Sequence, residues 1–239
     1  MIKKIRVLFL DILSDDENLR KKLEQHVQGG IPYGEIYERA FHPLPVAVTT
    51  VNATKPFSIR LRDFDAILIG GSAHDPSQAP TCPWMHRFAE TIQDIHGAKI
   101  PTLGVCGGHE FIADALGGVV GENTAGREVG AIPVTLTEEG HHDFLFEHLP
   151  DTFLTMLSHG HDILIPPENA VRLAHSRMTP IQALAIGDSI RTVQFHPEFS
   201  NDWLRRLIAF RKQDLAPDLF QDTSATRVLF HNFIKHYFR

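Results

Sequence analysis

Residues 101–110 read Pro-Thr-Leu-Gly-Val-Cys-Gly-Gly-His-Glu, a short apolar run that leads through a glycine-rich turn into a segment typical of a helix start. The turn, residues 104–108, is the cysteine counterpart of the G-x-S-x-G nucleophile elbow, in which small residues let the chain turn sharply and present the nucleophile above a sheet edge. With glycine at about 7% of residues, the chance that one of two cysteines has glycine at both −2 and +2 is roughly 1%. Cys106 is therefore the candidate nucleophile.

The same strand, turn and helix pattern occurs on the N-terminal side of this turn. Residues 5–12 form a short apolar run followed by an amphipathic segment from Asp15 to Gln28, and residues 65–69 lead through Gly70-Gly71 to helical spacing over residues 84–95. Because strands and helices alternate, we expect a mostly parallel sheet covered by helices on both faces.

Beyond Gly117 the pattern changes to short β-type runs. These cover residues 129–136, 152–157, 171–174, 181–186 and 190–195, and helical patterns follow over 200–212 and 224–238. The runs predict that the sheet continues with some antiparallel strands. No shift in composition requires a second domain, so residues 1–239 are interpreted as a single domain.

Composition limits the partners. The net charge of −6 gives no basic surplus for holding a polyanion, so nucleic acid and acidic membranes are not expected partners. No apolar stretch approaches the roughly 20 residues of a membrane span. The two cysteines, Cys82 and Cys106, exclude a disulfide scaffold and predict reduced thiols, hence a cytoplasmic location.

A cysteine nucleophile in such an elbow needs an oxyanion donor, a base and a group that orients the base. The N–H of Gly107 follows the nucleophile and is predicted to donate to a developing oxyanion. His196 is the candidate base because the β-type run 190–195 delivers it at a strand end, where sites in open α/β sheets lie. Glu198, two residues later, could accept the other imidazole N–H and fix the tautomer.

Three segments together resemble the class I (triad) glutamine amidotransferases, especially the amidotransferase domain of GMP synthase: Gly104 to His109, Ser158-His159-Gly160, and Phe195-His196-Pro197-Glu198-Phe199. The resemblance implies a Rossmann-like (flavodoxin-like) α/β sheet, with Cys106 as nucleophile, His196 as base and Glu198 as orienting acid.

The same resemblance implies the pocket residues. Gly71 matches the second oxyanion donor, and Ser158, His159 and Gly160 match the segment that lines the glutamine pocket, where His159 shapes a turn. Glu110 stands where the family usually has a glutamine that contacts the amino-acid end of the substrate. An ionised Glu110 accepts hydrogen bonds only, so it could hold an α-ammonium but could not donate to an α-carboxylate.

The segment Gly71-Ser72-Ala73-His74-Asp75 resembles stand-alone relatives that include γ-glutamyl peptidases. The hypothesis is therefore cysteine-dependent hydrolysis of a γ-glutamyl amide, either glutamine or a γ-glutamyl peptide or conjugate. The alternatives are a subunit that passes ammonia to a separate synthetase and a member that binds a metabolite without turnover. A homodimer also stays open.

Cofactor and metal patterns are not found in the sequence. It contains neither an S-G-G-x-D-S loop nor a G-x-x-x-x-G-K-[ST] loop, so ATP and other cofactors are not expected. The pairs His141-His142 and His159-x-His161 lack the helical spacing and carboxylate of zinc hydrolases, so no metal site is predicted. The C-terminal aromatic residues, from Phe220 to Phe238, are predicted to be core rather than a partner surface.

Overall fold

A computed structural model of the chain describes residues 4–214 and 216–238. Its strands in chain order are β1 (Ile5–Asp11), β2 (Val46–Asn52), β3 (Ala66–Ile69), β4 (Thr102–Val105), β5 (Val119–Glu122), β6 (Glu128–Leu136), β7 (Thr152–His159), β8 (His161–Ile165), β9 (Ala170–His175), β10 (Ala183–Ile186) and β11 (Ile190–Val193). Its helices are α1 (Glu17–Lys22), α2 (Tyr33–Phe41), α3 (Pro83–Gly97), α4 (Gly107–Ala115), α5 (Glu138–His142), α6 (Asn201–Arg211) and α7 (Val228–Tyr237). A wider helical turn, Leu23–Val27, continues α1.

Nine of the strands form one sheet in the order β2-β1-β3-β4-β11-β10-β9-β6-β7. The first five are parallel and have the flavodoxin-like order 2-1-3-4-5, with β11 as the fifth strand. The other four are added by antiparallel pairing, so that seven of the nine strands run in one direction. The predicted α/β class with antiparallel extension is confirmed.

Helices cover both faces of this sheet. In β1, Val7 and Phe9 point to one apolar core and Leu8 and Leu10 to the other, because successive residues of a strand alternate between faces. The first core is completed by α2, α6 and α7, and the second by α3 and α4.

The C-terminal aromatic residues belong to the first core, as predicted. Phe230 and Phe233 are fully buried, and Phe220, Tyr237 and Phe238 are half-buried against them. Helix α2 and strand β2, between residues 33 and 52, were not predicted from the sequence pattern. Within the described residues no helix has both the length and the apolar character needed to cross a membrane. The single-domain assignment stays a prediction.

The elbow after β4 is packed so closely that its glycines are required. A Cβ on Gly108 would lie 2.3 Å from the carbonyl oxygen of Ile69, and one on Gly107 would lie 2.6 Å from the Ser72 backbone nitrogen. These distances are shorter than van der Waals contact, so any side chain at either position would push β3 away from α4.

We expect Gly108→Ala to lower the free energy of unfolding by about 1–3 kcal/mol, because the added methyl group overpacks the joint between β3 and α4. The measurement is urea unfolding followed by circular dichroism. Gly97→Ala is the control, since a Cβ there meets no atom within 4 Å and replaces glycine in a helix. Equal urea midpoints for the two variants would contradict this packing.

Candidate active site

Three neighbouring parallel strands deliver the predicted catalytic residues to one edge of the sheet. Gly71 follows β3, Cys106 follows β4 and His196 follows β11, and these strands are adjacent in the order β3-β4-β11. Carboxyl ends of parallel strands meet at the same edge, which is where open α/β sheets bind ligands.

Cys106 has the backbone of a nucleophile elbow. Its φ of 52° and ψ of −105° lie outside the regions that non-glycine residues ordinarily adopt. The strain, about 1–3 kcal/mol for such residues, is held by backbone hydrogen bonds on both sides. The Cys106 N–H donates to the Val193 carbonyl at 2.8 Å, and the Cys106 carbonyl accepts from the Glu110 N–H at 3.1 Å. The side chain is thereby fixed above the sheet edge.

His196 is held by a carboxylate on one side and faces the cysteine on the other. Its Nδ1 lies 2.8 Å from Oε1 of Glu198, which assigns the proton on Nδ1 and leaves Nε2 for Cys106. Burial by itself lowers the pKa of His196, but a thiolate at Cys106, the charge of Glu198 and hydrogen bonds to both raise it to about 10. These neighbours therefore favour the charged form of the His196 ring.

Two buried tyrosines extend this arrangement to Gly71, in the turn after β3. The Tyr37 hydroxyl donates to Oε1 of Glu198 at 3.1 Å, Tyr33 and Tyr37 hydroxyls are 3.3 Å apart, and the Gly71 N–H donates to the Tyr33 oxygen at 2.8 Å. Because Tyr37 has one hydroxyl proton and gives it to Glu198, Tyr33 must donate to Tyr37. Each hydrogen bond in this series, from the Gly71 N–H through Tyr33 to Tyr37, is therefore donated in the direction of the Glu198 carboxylate that holds His196.

The two predicted oxyanion donors, Gly107 and Gly71, differ in the hydrogen bonding of their backbone N–H groups. Gly107 is the first residue of α4, where a backbone N–H has no partner within the helix and is free for a ligand. Gly71 is adjacent to the nucleophile, since a Cβ built on it would lie 3.7 Å from Cβ of Cys106, but its N–H is bound to Tyr33. The oxyanion roles of both residues stay predictions.

Glu110 is buried beneath Cys106 and does not line the open cavity. Its Oε1 accepts from Nε2 of Gln194 at 2.9 Å, and the same Nε2 is 3.9 Å from Sγ of Cys106. Burial raises the pKa of Glu110 to about 7, although the hydrogen bond from Gln194 lowers it. Oε1 of Gln194 has no partner among the described residues.

Ser158 lies in the site, whereas the neighbouring His159 is buried in the interior. Ser158 accepts a hydrogen bond from Nη1 of Arg211 at 3.1 Å. His159 is buried between Glu128, 3.1 Å from its Nε2, and Asp162, 3.2 Å from its Nδ1. Burial lowers the pKa of His159, but hydrogen bonds to Asp162 and Glu128 raise it to about 10. His159 is thus a paired, charged core residue.

A cavity of about 250 Å³ opens in front of Cys106. Its walls are mainly apolar and come from the loop after β1, α1 and its continuation, α2, the turn after β3, and α6. The lining residues are Leu13, Leu19, Leu23, Val27, Gln28, Tyr33, Gly71, Ser72, Ala73, Cys106, Ser158, His196, Phe199, Trp203, Leu207, Phe210 and Arg211. Glu110, His159 and Gly160 are not among them, so their predicted contacts with substrate stay predictions.

Some residues of the site were missed by the sequence analysis. Tyr33 and Tyr37 are spaced i, i+4 on α2, which is the available signal that both lie on one helix face. Trp203 and Arg211 lie two turns apart on α6 and line the same cavity. Gln194 carried no separate signal beyond its place before His196. In the described part of the chain, no group of three or more His, Cys, Asp or Glu side chains could hold a metal ion.

Comparison with known proteins identifies the family to which the chain belongs. Residues 30–212 match the family model described as glutamine amidotransferase class-I. The chain therefore belongs to the class I glutamine amidotransferase family.

Two curated relatives illustrate the range of this family. The chain is 30% identical over 150 residues to γ-glutamyl peptidase 4 of Arabidopsis thaliana, covering 62% of this chain and 59% of the peptidase. It is 28% identical over 170 residues to a glutamine-hydrolyzing GMP synthase subunit of Sulfurisphaera tokodaii, covering 71% of this chain and 85% of the archaeal protein. The matched segment thus spans about three fifths of the peptidase.

A glutamine amidotransferase from Thermotoga maritima has the same fold. Its crystal structure superposes with a TM-score of 0.74 at 20% identity and covers 98% of each chain. The shared fold includes nearly all of this chain.

Glu198→Gln is expected to lower the pKa of His196 below the value of about 10, because the variant removes a negative charge beside the ring. NMR titration of the His196 ring checks this directly. Glu38→Gln, at an exposed position of α2, is the control and should leave the titration of His196 unchanged. An unaltered titration would contradict the pairing.

Glu110→Gln is expected to remove a pH-dependent loss of stability. Because folding raises the pKa of Glu110 from 4.5 to about 7, the folded protein keeps a proton that the unfolded chain releases, and the free energy of unfolding falls through this window by up to about 3 kcal/mol. Urea midpoints at pH 5 and pH 8 measure the effect. The difference between the midpoints at pH 5 and pH 8 should be smaller in Glu110→Gln than in wild type. Glu122→Gln, an exposed control, should behave like wild type. Parallel curves for all three proteins would argue against it.

Proposed function

We propose that the chain hydrolyses a γ-glutamyl amide bond through a covalent intermediate on Cys106. The observation that carries this proposal is that Cys106 and His196 line one cavity while Glu198 holds the His196 ring from the side away from it. The elbow fixes the sulfur, the 2.8 Å contact between His196 and Glu198 fixes the imidazole, and the Cys106 and His196 side chains line the same space.

In the first half of the reaction, the Cys106 thiolate attacks the carbonyl carbon of the γ-amide. The carbonyl electrons move to oxygen, where the Gly107 N–H donates, and the N–H of Gly71 joins it when it leaves Tyr33. The C–N bond then breaks, and His196 gives its Nε2 proton to the leaving nitrogen. The products are a γ-glutamyl thioester on Cys106 and a free amine, or ammonia.

In the second half, water attacks the thioester. His196 takes a proton from this water, the C–S bond breaks, and glutamate leaves while the Cys106 thiolate forms again. Glu198 holds the ring throughout and stabilises its charged form, and Tyr37 donates to the same carboxylate oxygen. No cofactor or oxidant enters this sequence of steps.

A second candidate is an amidotransferase subunit that passes ammonia to a separate synthetase. It is favoured by the Gly71 N–H, which is bound to Tyr33 and so does not face the position of an oxyanion. A substrate or partner that moved Tyr33 would supply this donor. The resemblance to the GMP synthase subunit of Sulfurisphaera tokodaii supports this candidate. Location in the cytoplasm and a homodimer are further proposals that rest on the sequence alone.

We expect the purified chain to release glutamate from γ-glutamyl amides and Cys106→Ala to lose this activity by at least about 10³-fold, since the nucleophile is removed. The assay compares glutamine with γ-glutamyl peptides, and mass spectrometry of quenched reactions looks for a glutamyl group on Cys106. Cys82→Ala, the matched control at the other cysteine, should retain wild-type activity.

The outcomes separate the candidates. Turnover that survives in Cys106→Ala would refute the covalent mechanism. Hydrolysis that appears only after addition of a synthetase subunit would identify a partner-dependent amidotransferase. Binding of γ-glutamyl amides without glutamyl transfer to Cys106, under both conditions, would indicate a binding protein.

A further inference from the structure

The cavity in front of Cys106 has an apolar side that the proposed reaction of glutamine would not need. We call it the apolar wall and define it by six residues: Leu19, Leu23 and Val27 from α1 and its continuation, and Trp203, Leu207 and Phe210 from α6. Ammonia is about the size of a water molecule, which occupies about 30 Å³. The cavity of about 250 Å³ is much larger.

The polar end of the cavity is suited to the glutamyl part of a substrate. A γ-glutamyl group carries an α-ammonium and an α-carboxylate, and neither can be buried against hydrocarbon without a polar partner. Arg211 lines the cavity beside Ser158, and its guanidinium suits a carboxylate. The apolar wall is therefore left for the part of the substrate on the other side of the scissile bond.

The position of His196 also directs the leaving group of the substrate toward the apolar wall. The leaving nitrogen must lie next to the ring that protonates it. The Trp203 ring centroid is 5.5 Å from that of His196, and Trp203 stacks on Phe199 with centroids 3.7 Å apart and planes 7° apart. A substituent on the leaving nitrogen consequently meets an aromatic surface immediately beyond the base.

Leu23, Trp203 and Phe210 are only half-buried although they are large and apolar. They line the cavity, so an apolar group that enters it would remove their surface from water. Each buried methylene group is worth roughly fourfold in binding. Leu19, Leu23 and Val27 precede the segment that matches the family model, which begins at residue 30, so the part of the apolar wall from α1 and its continuation lies outside the family match.

We infer that the apolar wall is a leaving-group subsite and that the chain prefers γ-glutamyl amides of apolar or aromatic amines to glutamine. This inference rests on the proposed γ-glutamyl hydrolysis and adds the substrate class.

The test compares kcat/KM for γ-glutamyl phenethylamide, γ-glutamyl methylamide and glutamine, because the two amides differ only in apolar size. We expect the phenethylamide to exceed the methylamide by at least about tenfold. Leu23→Ser and Phe210→Ala should each reduce this ratio severalfold. The matched control is Phe220→Ala, since Phe220 is half-buried but lies outside the cavity. It should keep the wild-type ratio.

The failure of the subsite and the failure of the reaction give different results. Cys106-dependent hydrolysis of all three compounds at equal kcat/KM would leave the proposed function standing and overturn the subsite. A preference that survives unchanged in both Leu23→Ser and Phe210→Ala would also overturn it.

If no compound is cleaved, binding decides the question. Cys106→Ala is titrated with the same compounds while the fluorescence of Trp203 is followed, with Trp203→Phe to correct for Trp84. Tighter binding of the phenethylamide, reduced in Leu23→Ser, supports the subsite without turnover. Equal binding of the two amides, or none, overturns it.

Discussion

Directly after β4 the chain turns at Cys106 with a φ of 52°. The positions of Gly107 and Gly108 in this turn leave no room for a side chain. The Gly108 N–H donates to the carbonyl of Gly70 at 2.9 Å, so the elbow is joined to the end of β3 as well as to β4 and α4. This close backbone contact sets where the sulfur points. The turn after β3 and His196 take fixed positions around the sulfur, because both follow strands of the same sheet.

The charged and polar groups of the site are arranged in two layers. Above the sheet edge, a line of hydrogen bonds from Gly71 through both tyrosines ends on Glu198 and supports the imidazolium of His196. Below the sulfur, Glu110 is held by Gln194 in a buried environment that raises the pKa of the carboxyl group to about 7. A buried charge is destabilising unless it is paired. Above the sheet edge His196 is paired with Glu198, whereas below the sulfur burial raises the pKa of Glu110 and favours its neutral form.

The same sheet could present either of two chemistries, depending on what covers its edge. A site that only releases ammonia needs a small exit and an acceptor, while a site that cleaves larger amides needs space on the leaving side. In this chain α1 and α6 pack across the edge and line the cavity in front of Cys106 with apolar side chains. The flavodoxin-like core positions Cys106, and the two helices shape the cavity in front of it.

The sequence by itself determined the α/β class, the elbow and the segments that carry Cys106, His196 and Glu198, because glycine punctuation and apolar periodicity are local signals. It did not predict β2 or α2, since Val46 to Asn52 is an edge strand with mixed burial and Tyr33 to Phe41 has a short pattern. The position of Tyr37 in the site depends on its contact with Glu198, 161 residues away in the chain, and that of Tyr33 on its contact with Gly71, 38 residues away. Only the tertiary structure decided these, because pairing of β11 beside β4 brings together side chains that no local pattern relates.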